Sequence, residues 1–120
     1  MKIPVLKLGD ILLAPIPEDL GDEDALEFSS HILEKVNQHE AKGVVIDITA
    51  LDVVDSFMAR VINDTAGMIK LIGAEVVLCG MNPFVVLTLM QMGRELIGVR
   101  TALNLEEGVS LLRRIIAETL

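Results

Sequence analysis

The pattern of apolar and polar positions predicts a β-hairpin at the start of the chain. Two short apolar runs, IPVLKL and ILLAPI, are separated by Gly9 and Asp10, a pair suited to a two-residue reversal. Because proline cannot donate a hydrogen bond to a neighbouring strand, we expect Pro4 and Pro15 to lie near the margins of a sheet.

Two amphipathic helices and a buried strand are predicted for the next part of the chain. Apolar residues at helical spacing define the first helix: Ala25, Phe28, Ile32, Leu33 and Val36. Asp22 is a candidate N-cap for this helix, and Gly43 is a candidate stop signal. The run VVIDI, residues 44–48, is apolar enough for a strand covered on both faces. A second helix is expected to begin around Ser56 and to end at Gly73. Its buried side is predicted to contain Met58, Ile62, Thr65, Ile69 and Ile72.

The second half of the chain repeats the alternation of strand and helix. EVVLCG predicts a third buried strand, and the pair NP, which opens at Asn82, predicts the N-cap and first position of a third helix. Residues 99–102 are expected to form a short edge strand. A last helix follows, with capping-box spacing between Asn104 and Glu107. The order predicts one small α/β domain over residues 1–120, with a mixed sheet of four to five strands and about four helices.

Composition and charge exclude several classes of partner. The 120 residues are 52% hydrophobic, enough for a packed core, and the formal charge of −8 would repel nucleic acid and anionic membranes. A single cysteine, Cys79, excludes an internal disulfide and suits a reducing compartment. The N-terminus lacks the apolar core of a signal peptide. We therefore expect a cytoplasmic protein that binds neither nucleic acid nor membrane.

The third predicted helix, PFVVLTLMQMGRE, is very apolar for the surface of a small monomer. Thr88, Gln91 and Glu95 form only a narrow polar stripe along it. The sequence supports two interpretations about equally. The helix is either an interface with another subunit, in an oligomer or a large assembly, or a well-buried helix in which methionine side chains fill gaps.

The segment DITALDVVDSF places three carboxylates and a hydroxyl at one strand-to-helix junction. These four residues are Asp47, Asp52, Asp55 and Ser56. We expect them near the edge of the sheet where α/β proteins usually carry their functional residues. A structural role is also expected, because Asp55 or Ser56 is a good N-cap, and the pattern alone favours a cap by about three to one.

Catalysis and metal binding lack the necessary partners in the sequence. A serine nucleophile needs a base, but the two histidines, His31 and His39, belong to the acidic first helix, and there is no G-x-S-x-G turn. The histidines are also eight residues apart, whereas two metal ligands on one helix face need about four. The first hairpin carries only Asp10, so the paired acids of a phosphate-accepting magnesium site are missing. We expect no enzyme activity, no metal and no small-molecule cofactor.

Ser56 remains a candidate for phosphorylation by a kinase. A phosphate adds about −1.5 to −2 charges, and the dipole of a helix favours it at the first turn by about 0.3–1 kcal/mol. The carboxylates of Asp52 and Asp55 oppose it, each by about 1–3 kcal/mol at a distance of ~6 Å. Because the repulsion is larger, we expect phosphorylation to change the adjoining surface more than it stabilises its own helix.

The residues around this junction resemble a STAS domain of the anti-sigma-factor-antagonist type. The run DITALDVVDS, from Asp47 to Ser56, matches the motif of that family. The stretches KLIGAEVVLCGMNPFVVLTLMQMG and ALNLEEGVSLLRRI extend the resemblance over essentially the whole chain. Ordinary antagonists usually have glycine soon after the phosphorylated serine, where this chain has Phe57 and Met58. That departure favours the stressosome branch of the family.

The resemblance implies a non-enzymatic stressosome scaffold that assembles with RsbR-type STAS paralogues and sequesters an RsbT-type serine/threonine kinase. Phosphorylation of Ser56 during stress would release the kinase. Four neighbouring residues are candidates for the kinase interface: Asp52, Asp55, Phe57 and Met58. The alternative is a stand-alone antagonist that binds a kinase-type anti-sigma factor in a phosphorylation-controlled partner switch.

Overall fold

The computed structural model describes residues 3–18, 20–91 and 99–118. Its strands are β1 (Leu6–Leu8), β2 (Ile11–Pro15), β3 (Gly43–Asp47), β4 (Glu75–Cys79) and β5 (Arg100–Ala102). Its helices are α1 (Asp22–His39), α2 (Ser56–Leu71), α3 (Pro83–Gln91) and α4 (Leu105–Glu118). Within the described residues, the predicted order of strands and helices is confirmed.

The five strands form one mixed sheet in the order β1-β2-β3-β4-β5. β1 and β2 are the predicted hairpin: they pair antiparallel, with Leu8 opposite Ile11 across the Gly9 and Asp10 reversal. Pro15 is the last residue of β2, as expected of a proline at a sheet margin. The other neighbouring strands pair in parallel, so the carboxyl ends of β2, β3 and β4 lie along one edge of the sheet.

Two apolar cores lie on opposite faces of this sheet, because successive side chains of a strand point to opposite sides. On one face, Val44 and Val76 pack with residues of α1, α2 and α3 in the larger core. On the other face, Val45 and Val77 pack against α4 in the smaller core. Covering both faces requires apolar residues at consecutive positions, which explains the unbroken runs in β3 and β4.

The predicted caps of the last two helices are confirmed. The side-chain oxygen of Asn82 accepts a hydrogen bond from the Val85 N–H at 2.9 Å, and that of Asn104 accepts one from the Glu107 N–H at 2.9 Å. Glu95, the last member of the polar stripe predicted for the third helix, lies outside the described residues.

Two residues predicted from helical patterns have different roles. Asp22 does not cap α1: it is the first helical residue, and the N-cap is Gly21, which makes no side-chain cap hydrogen bond. The Asp22 carboxylate is instead favoured by the positive end of the helix dipole. Ile72 was expected on the buried side of α2, but the helix ends at Leu71 and Ile72 is 52% exposed. Gly73 follows with φ +99°, as expected of a residue that ends a helix.

The prediction that Gly43 stops the first helix is wrong. α1 ends at His39, and Glu40 adopts the left-handed conformation with φ 48°. Gly43 instead begins β3, where a Cβ would lie 2.6 Å from the Cδ1 atom of Leu112. The glycine at this position therefore lets α4 approach the sheet closely, a requirement that comes from packing rather than from a helix end.

Leu112 should be a principal stabilising residue of the smaller core. It is 0% exposed, so Leu112→Ala is expected to lower the free energy of unfolding by about 2–5 kcal/mol. Leu87→Ala is the matched control, because Leu87 is 58% exposed on α3 and should change stability by less than about 0.5 kcal/mol. Urea denaturation followed by circular dichroism measures both. Equal losses for the two variants would contradict this description of the core.

Candidate functional site

The junction between β3 and α2 presents the Ser56 hydroxyl at the protein surface. Ser56 is the first residue of α2 and is exposed. The preceding residue, Asp55, has extended backbone angles (φ −82°, ψ 177°), and its carboxylate accepts a hydrogen bond from the Met58 N–H at 2.8 Å. The N-cap is therefore Asp55, and the helix does not need the Ser56 hydroxyl for capping.

The candidate interface residues around Ser56 differ in how much surface they offer. Asp52 and Asp55 are exposed, and Phe57 is half-buried against the larger core. Met58 is only 9% exposed, so its side chain belongs to the core and presents little surface to a partner. Val53, which the motif did not single out, is 77% exposed between the two carboxylates.

Asp47 organises the start of the loop that leads to Ser56. Its carboxylate accepts a hydrogen bond from the Thr49 N–H at 3.0 Å and another from the Thr49 hydroxyl. Gly80, directly after β4, packs against this turn: a Cβ there would lie 2.8 Å from the Thr49 nitrogen and 2.9 Å from the nearer Asp47 carboxylate oxygen. Asp47 is therefore a structural residue of the junction, apart from the exposed carboxylates of Asp52 and Asp55.

Asn82 holds the same loop from the side of α3. In addition to capping α3, its side-chain amide donates to the Leu51 carbonyl at 3.1 Å and to the Asp52 carbonyl at 3.2 Å. One side chain thus connects the loop before Ser56 to the first turn of α3. The sequence predicted only the cap, because an acceptor 30 residues away leaves no local pattern.

A buried pair of hydroxyl groups holds α2 against α1. The Ser29 and Thr65 hydroxyls are hydrogen-bonded at 2.9 Å, and the Thr65 hydroxyl also contacts the Val61 carbonyl within its own helix at 2.6 Å. Thr65 is 0% exposed and Ser29 is 8% exposed, so both polar groups are satisfied inside the core. The helix that carries Ser56 is therefore fixed in position by a polar contact as well as by apolar packing.

The thiol of Cys79 takes no part in surface chemistry. Burial, followed by the charge of Asp47 and a hydrogen bond with that carboxylate, raises the pKa of Cys79 to about 12. The side chain therefore stays protonated at neutral pH, and the thiolate needed for nucleophilic attack or metal binding does not form.

The described ranges contain neither a cluster of metal-binding side chains nor a membrane-spanning helix. In them, no group of three or more His, Cys, Asp or Glu side chains is arranged to hold a metal ion. None of the helices in those ranges has the length and apolar character needed to cross a membrane.

Comparison with known families identifies the class of protein. The family model of the STAS domain matches residues 2–108, so the chain belongs to the STAS domain family. The RsbT co-antagonist protein RsbRA of Bacillus subtilis (strain 168) is 31% identical over 107 residues, which are 89% of this chain. The match spans only 38% of the length of RsbRA.

Solved structures place the similarity in the stressosome branch. RsbS of Moorella thermoacetica, in a serine-to-glutamate variant, has a TM-score of 0.88 and 38% identity, covering 98% of this chain and 99% of that one. A chain of the stressosome, a signal integration and transduction hub, has a TM-score of 0.84 and 40% identity. The match covers 93% of this chain and 97% of that one. The anti-sigma factor antagonist SpoIIAA, in its unphosphorylated form, shares the fold with a TM-score of 0.74 at 12% identity, covering 94% and 97%. The resemblance to this branch, and the expected single STAS domain, are confirmed.

The cap of α2 can be separated experimentally from the charge beside Ser56. Asp55→Ala removes the acceptor of the Met58 N–H and should lower the free energy of unfolding by about 0.5–2 kcal/mol. Asp55→Asn keeps a capping oxygen without the charge. It should lower the free energy of unfolding by no more than a few tenths of a kcal/mol, since asparagine and aspartate cap about equally well. Chemical denaturation distinguishes the two. Equal destabilisation would show that the charge, rather than the hydrogen bond, matters.

Gly80 should be intolerant of any side chain, for two additive reasons. Gly73→Ala introduces only the strain of a left-handed backbone (φ +99°), because nothing lies within 4 Å of the added Cβ, and should cost about 1–2 kcal/mol. Gly80→Ala has the same kind of strain (φ +84°) and also contacts the Thr49 backbone, so we expect a further loss of about 1–3 kcal/mol. Denaturation midpoints measure both variants. If Gly80→Ala were no less stable than Gly73→Ala, the close packing of this turn would be refuted.

Proposed function

We propose that this chain is a non-enzymatic stressosome scaffold that holds an RsbT-type serine/threonine kinase and releases it when Ser56 is phosphorylated during stress. The scaffold would assemble with RsbR-type STAS paralogues. Similarity to RsbS and to a stressosome chain over nearly the full length supports the class of function. Similarity to the RsbT co-antagonist RsbRA supports the choice of kinase and paralogue.

The single observation that carries the proposal is the position of the Ser56 hydroxyl. It is exposed at the first turn of α2, and Asp55 supplies the cap, so a kinase can modify Ser56 without removing a hydrogen bond that the fold needs. In the Moorella relative, exchanging a serine for glutamate replaces a hydroxyl by a negative charge, which is the sign of change that phosphorylation makes.

The charges around Ser56 determine what a phosphate would do. Asp52 and Asp55 are exposed carboxylates on its N-terminal side and would repel the phosphate. Arg60 is exposed one helical turn later, at the i+4 position, where a side chain shares the face of Ser56 and could pair with the phosphate. The phosphate thus concentrates negative charge at the loop, and a partner surface selected for the unmodified site loses complementarity there.

The apolar surface of α3 supports the assembly part of the proposal. Four of its large side chains are exposed by 41–74%: Phe84, Val86, Leu87 and Met90. Val85 and Leu89 are buried, so the helix already uses one side for the core and leaves the rest uncovered. Of the two interpretations of this helix, the exposure favours an interface with another subunit. Because Asn82 ties α3 to the loop at Asp52, this interface would adjoin the phosphorylation site.

Site-specific phosphorylation is the test of this function. The purified chain is incubated with an RsbT-type kinase and ATP, and the phosphorylated residue is mapped by mass spectrometry. We expect phosphate on Ser56, and its loss in Ser56→Ala. Ser30→Ala and Ser110→Ala are matched controls, because both remove an exposed serine hydroxyl from another helix and should leave phosphorylation unchanged.

Two results would refute this assignment. Undiminished phosphorylation of Ser56→Ala would show that the site lies elsewhere. Phosphate on Thr49 instead of Ser56 would do the same, although the Thr49 hydroxyl already donates to Asp47.

The choice between a stressosome scaffold and a stand-alone antagonist depends on the partner. The similarity to SpoIIAA is at 12% identity and concerns the fold alone, so it does not favour the second function. Immobilised protein should retain an RsbT-type kinase and an RsbR-type STAS domain. Retention of a kinase-type anti-sigma factor, with neither of these two, would favour the antagonist.

A further inference from the structure

A cavity of about 550 Å³ opens at the edge of the sheet opposite to Ser56. It is lined by residues just before β3 and at the start of β4, whereas Ser56 lies beyond the carboxyl ends of these strands. Sites for small molecules in proteins usually have volumes of about 300–1,000 Å³. The cavity is therefore large enough for a small organic ligand, and it is separate from the phosphorylation site.

The floor and one wall of the cavity are apolar. Val36, Ala41 and Ile116 line it and are 4%, 9% and 8% exposed. Ile72 also lines it, but this side chain lies just beyond the end of α2 and is 52% exposed. The hydrocarbon surface at Ile72 would be removed from water by a ligand with an apolar body.

The C-terminal ends of three helices meet at this cavity. Its lining includes Asn37 in the last turn of α1, Ile72 directly after α2, and Ile116 in the last turn of α4. The last carbonyl groups of a helix have no partner within the helix, and its dipole places about half a negative elementary charge at this end. Three such ends around one cavity favour a positively charged ligand.

The charged side chains at the rim have the same preference. Glu40, Glu75 and Lys42 line the cavity. The Lys70 ammonium lies 3.3 Å from the Glu75 carboxylate, and the Lys42 ammonium lies 4.0 Å from the Asp10 carboxylate. Within the described residues, the Glu40 carboxylate has no ion-pair partner. Three carboxylates therefore face two ammonium groups, which leaves one negative charge for a ligand to neutralise.

Glu40 also has an unusual backbone conformation. It is left-handed, with φ 48° and ψ 43°, and it is the one non-glycine residue with positive φ among those described. Glycine is the usual residue at such a helix end, because a side chain is strained there. The helix end itself uses only backbone groups: the Ala41 N–H donates to the Val36 carbonyl at 3.0 Å. The fold therefore does not need the Glu40 carboxylate, and strain of this kind is typical of functional sites.

We propose that this cavity binds a small organic cation, an amine with a hydrocarbon body. The ammonium group pairs with Glu40 near the three helix ends, and the hydrocarbon body covers Ile72 and Ile116. An anion would meet Glu40 and the negative helix ends. A metal ion fits less well, because it would leave the apolar floor uncovered and no three metal-binding side chains cluster in the described residues. This site goes beyond the proposed function and does not depend on it.

Titration of the full chain, followed by amide NMR shifts, tests the site with three probes. Hexylammonium has both the charge and the apolar body, hexanoate has a similar body with the opposite charge, and ammonium chloride has the charge alone. We expect hexylammonium to cause saturable shifts at Ala41, Gly73 and Ile116, and the other two probes to cause none there. No shifts with hexylammonium, or equal shifts with hexanoate, would overturn the proposal.

Two pairs of variants test the groups assigned to the ligand. Glu40→Gln should weaken hexylammonium binding about two- to fivefold, as expected for an exposed ion pair. Glu34→Gln is the matched control, because it removes an exposed carboxylate of α1 outside this cavity and should leave the affinity unchanged. Ile72→Ala should also weaken binding, whereas Leu71→Ala, at an 86% exposed neighbour outside the lining, should not. Equal affinities within either pair would contradict the assignment.

Glu40→Gly separates binding from stability. Because it removes the carboxylate and the strain of the left-handed backbone together, it should raise the urea midpoint of unfolding while it weakens binding as much as Glu40→Gln does. A lower midpoint would show that the Glu40 side chain serves the fold instead of a ligand, and would overturn the proposal.

Discussion

The two hydrogen bonds that Asn82 donates to the loop before α2 hold together the part of the structure on which the site depends. They join the Leu51 and Asp52 carbonyls to the first turn of α3, while the same side chain caps that helix. The neighbouring Gly80 allows the turn at Asp47 to pack directly on the end of β4. The loop from β3 to α2 and the loop from β4 to α3 are therefore fixed to each other at this edge of the sheet. Ser56 comes directly after a loop with a defined conformation.

For the proposed phosphorylation of Ser56, this arrangement favours an effect through charge rather than through refolding. The Asp55 cap leaves the Ser56 hydroxyl free for modification, and the Ser29 and Thr65 hydroxyls hold α2 against α1 within the core. A phosphate on Ser56 would therefore be added to a rigid helix end and would alter mainly the surface potential. The exposed apolar residues of α3 follow Asn82 in the chain, so a partner that contacts both α3 and the loop at Asp52 would be sensitive to this charge.

The sequence predicted the elements well because both faces of the sheet are covered. Two kinds of local pattern each have a single structural interpretation: the consecutive apolar residues of β3 and β4, and the caps at Asn82 and Asn104. Gly43 was misread because its role depends on Leu112, which is distant in sequence and approaches the same strand. The second function of Asn82 was missed for the same reason. Two predictions for Met58 conflict: the family motif makes it a candidate for the kinase interface, whereas the helical pattern of α2 puts it on the buried side. Its 9% exposure agrees with the helical pattern.

The most direct test of the charge switch is to titrate an RsbT-type kinase into two forms of the purified chain, unmodified and phosphorylated on Ser56, and to compare the dissociation constants. Amide hydrogen exchange of both forms shows whether the fold is the same. We expect binding to weaken about tenfold or more on phosphorylation, equivalent to about 1.4 kcal/mol or more, with unchanged protection in β3, β4 and the body of α2. Equal affinity of the two forms, or a loss of affinity accompanied by loss of protection throughout α2, would contradict a charge switch on a rigid surface.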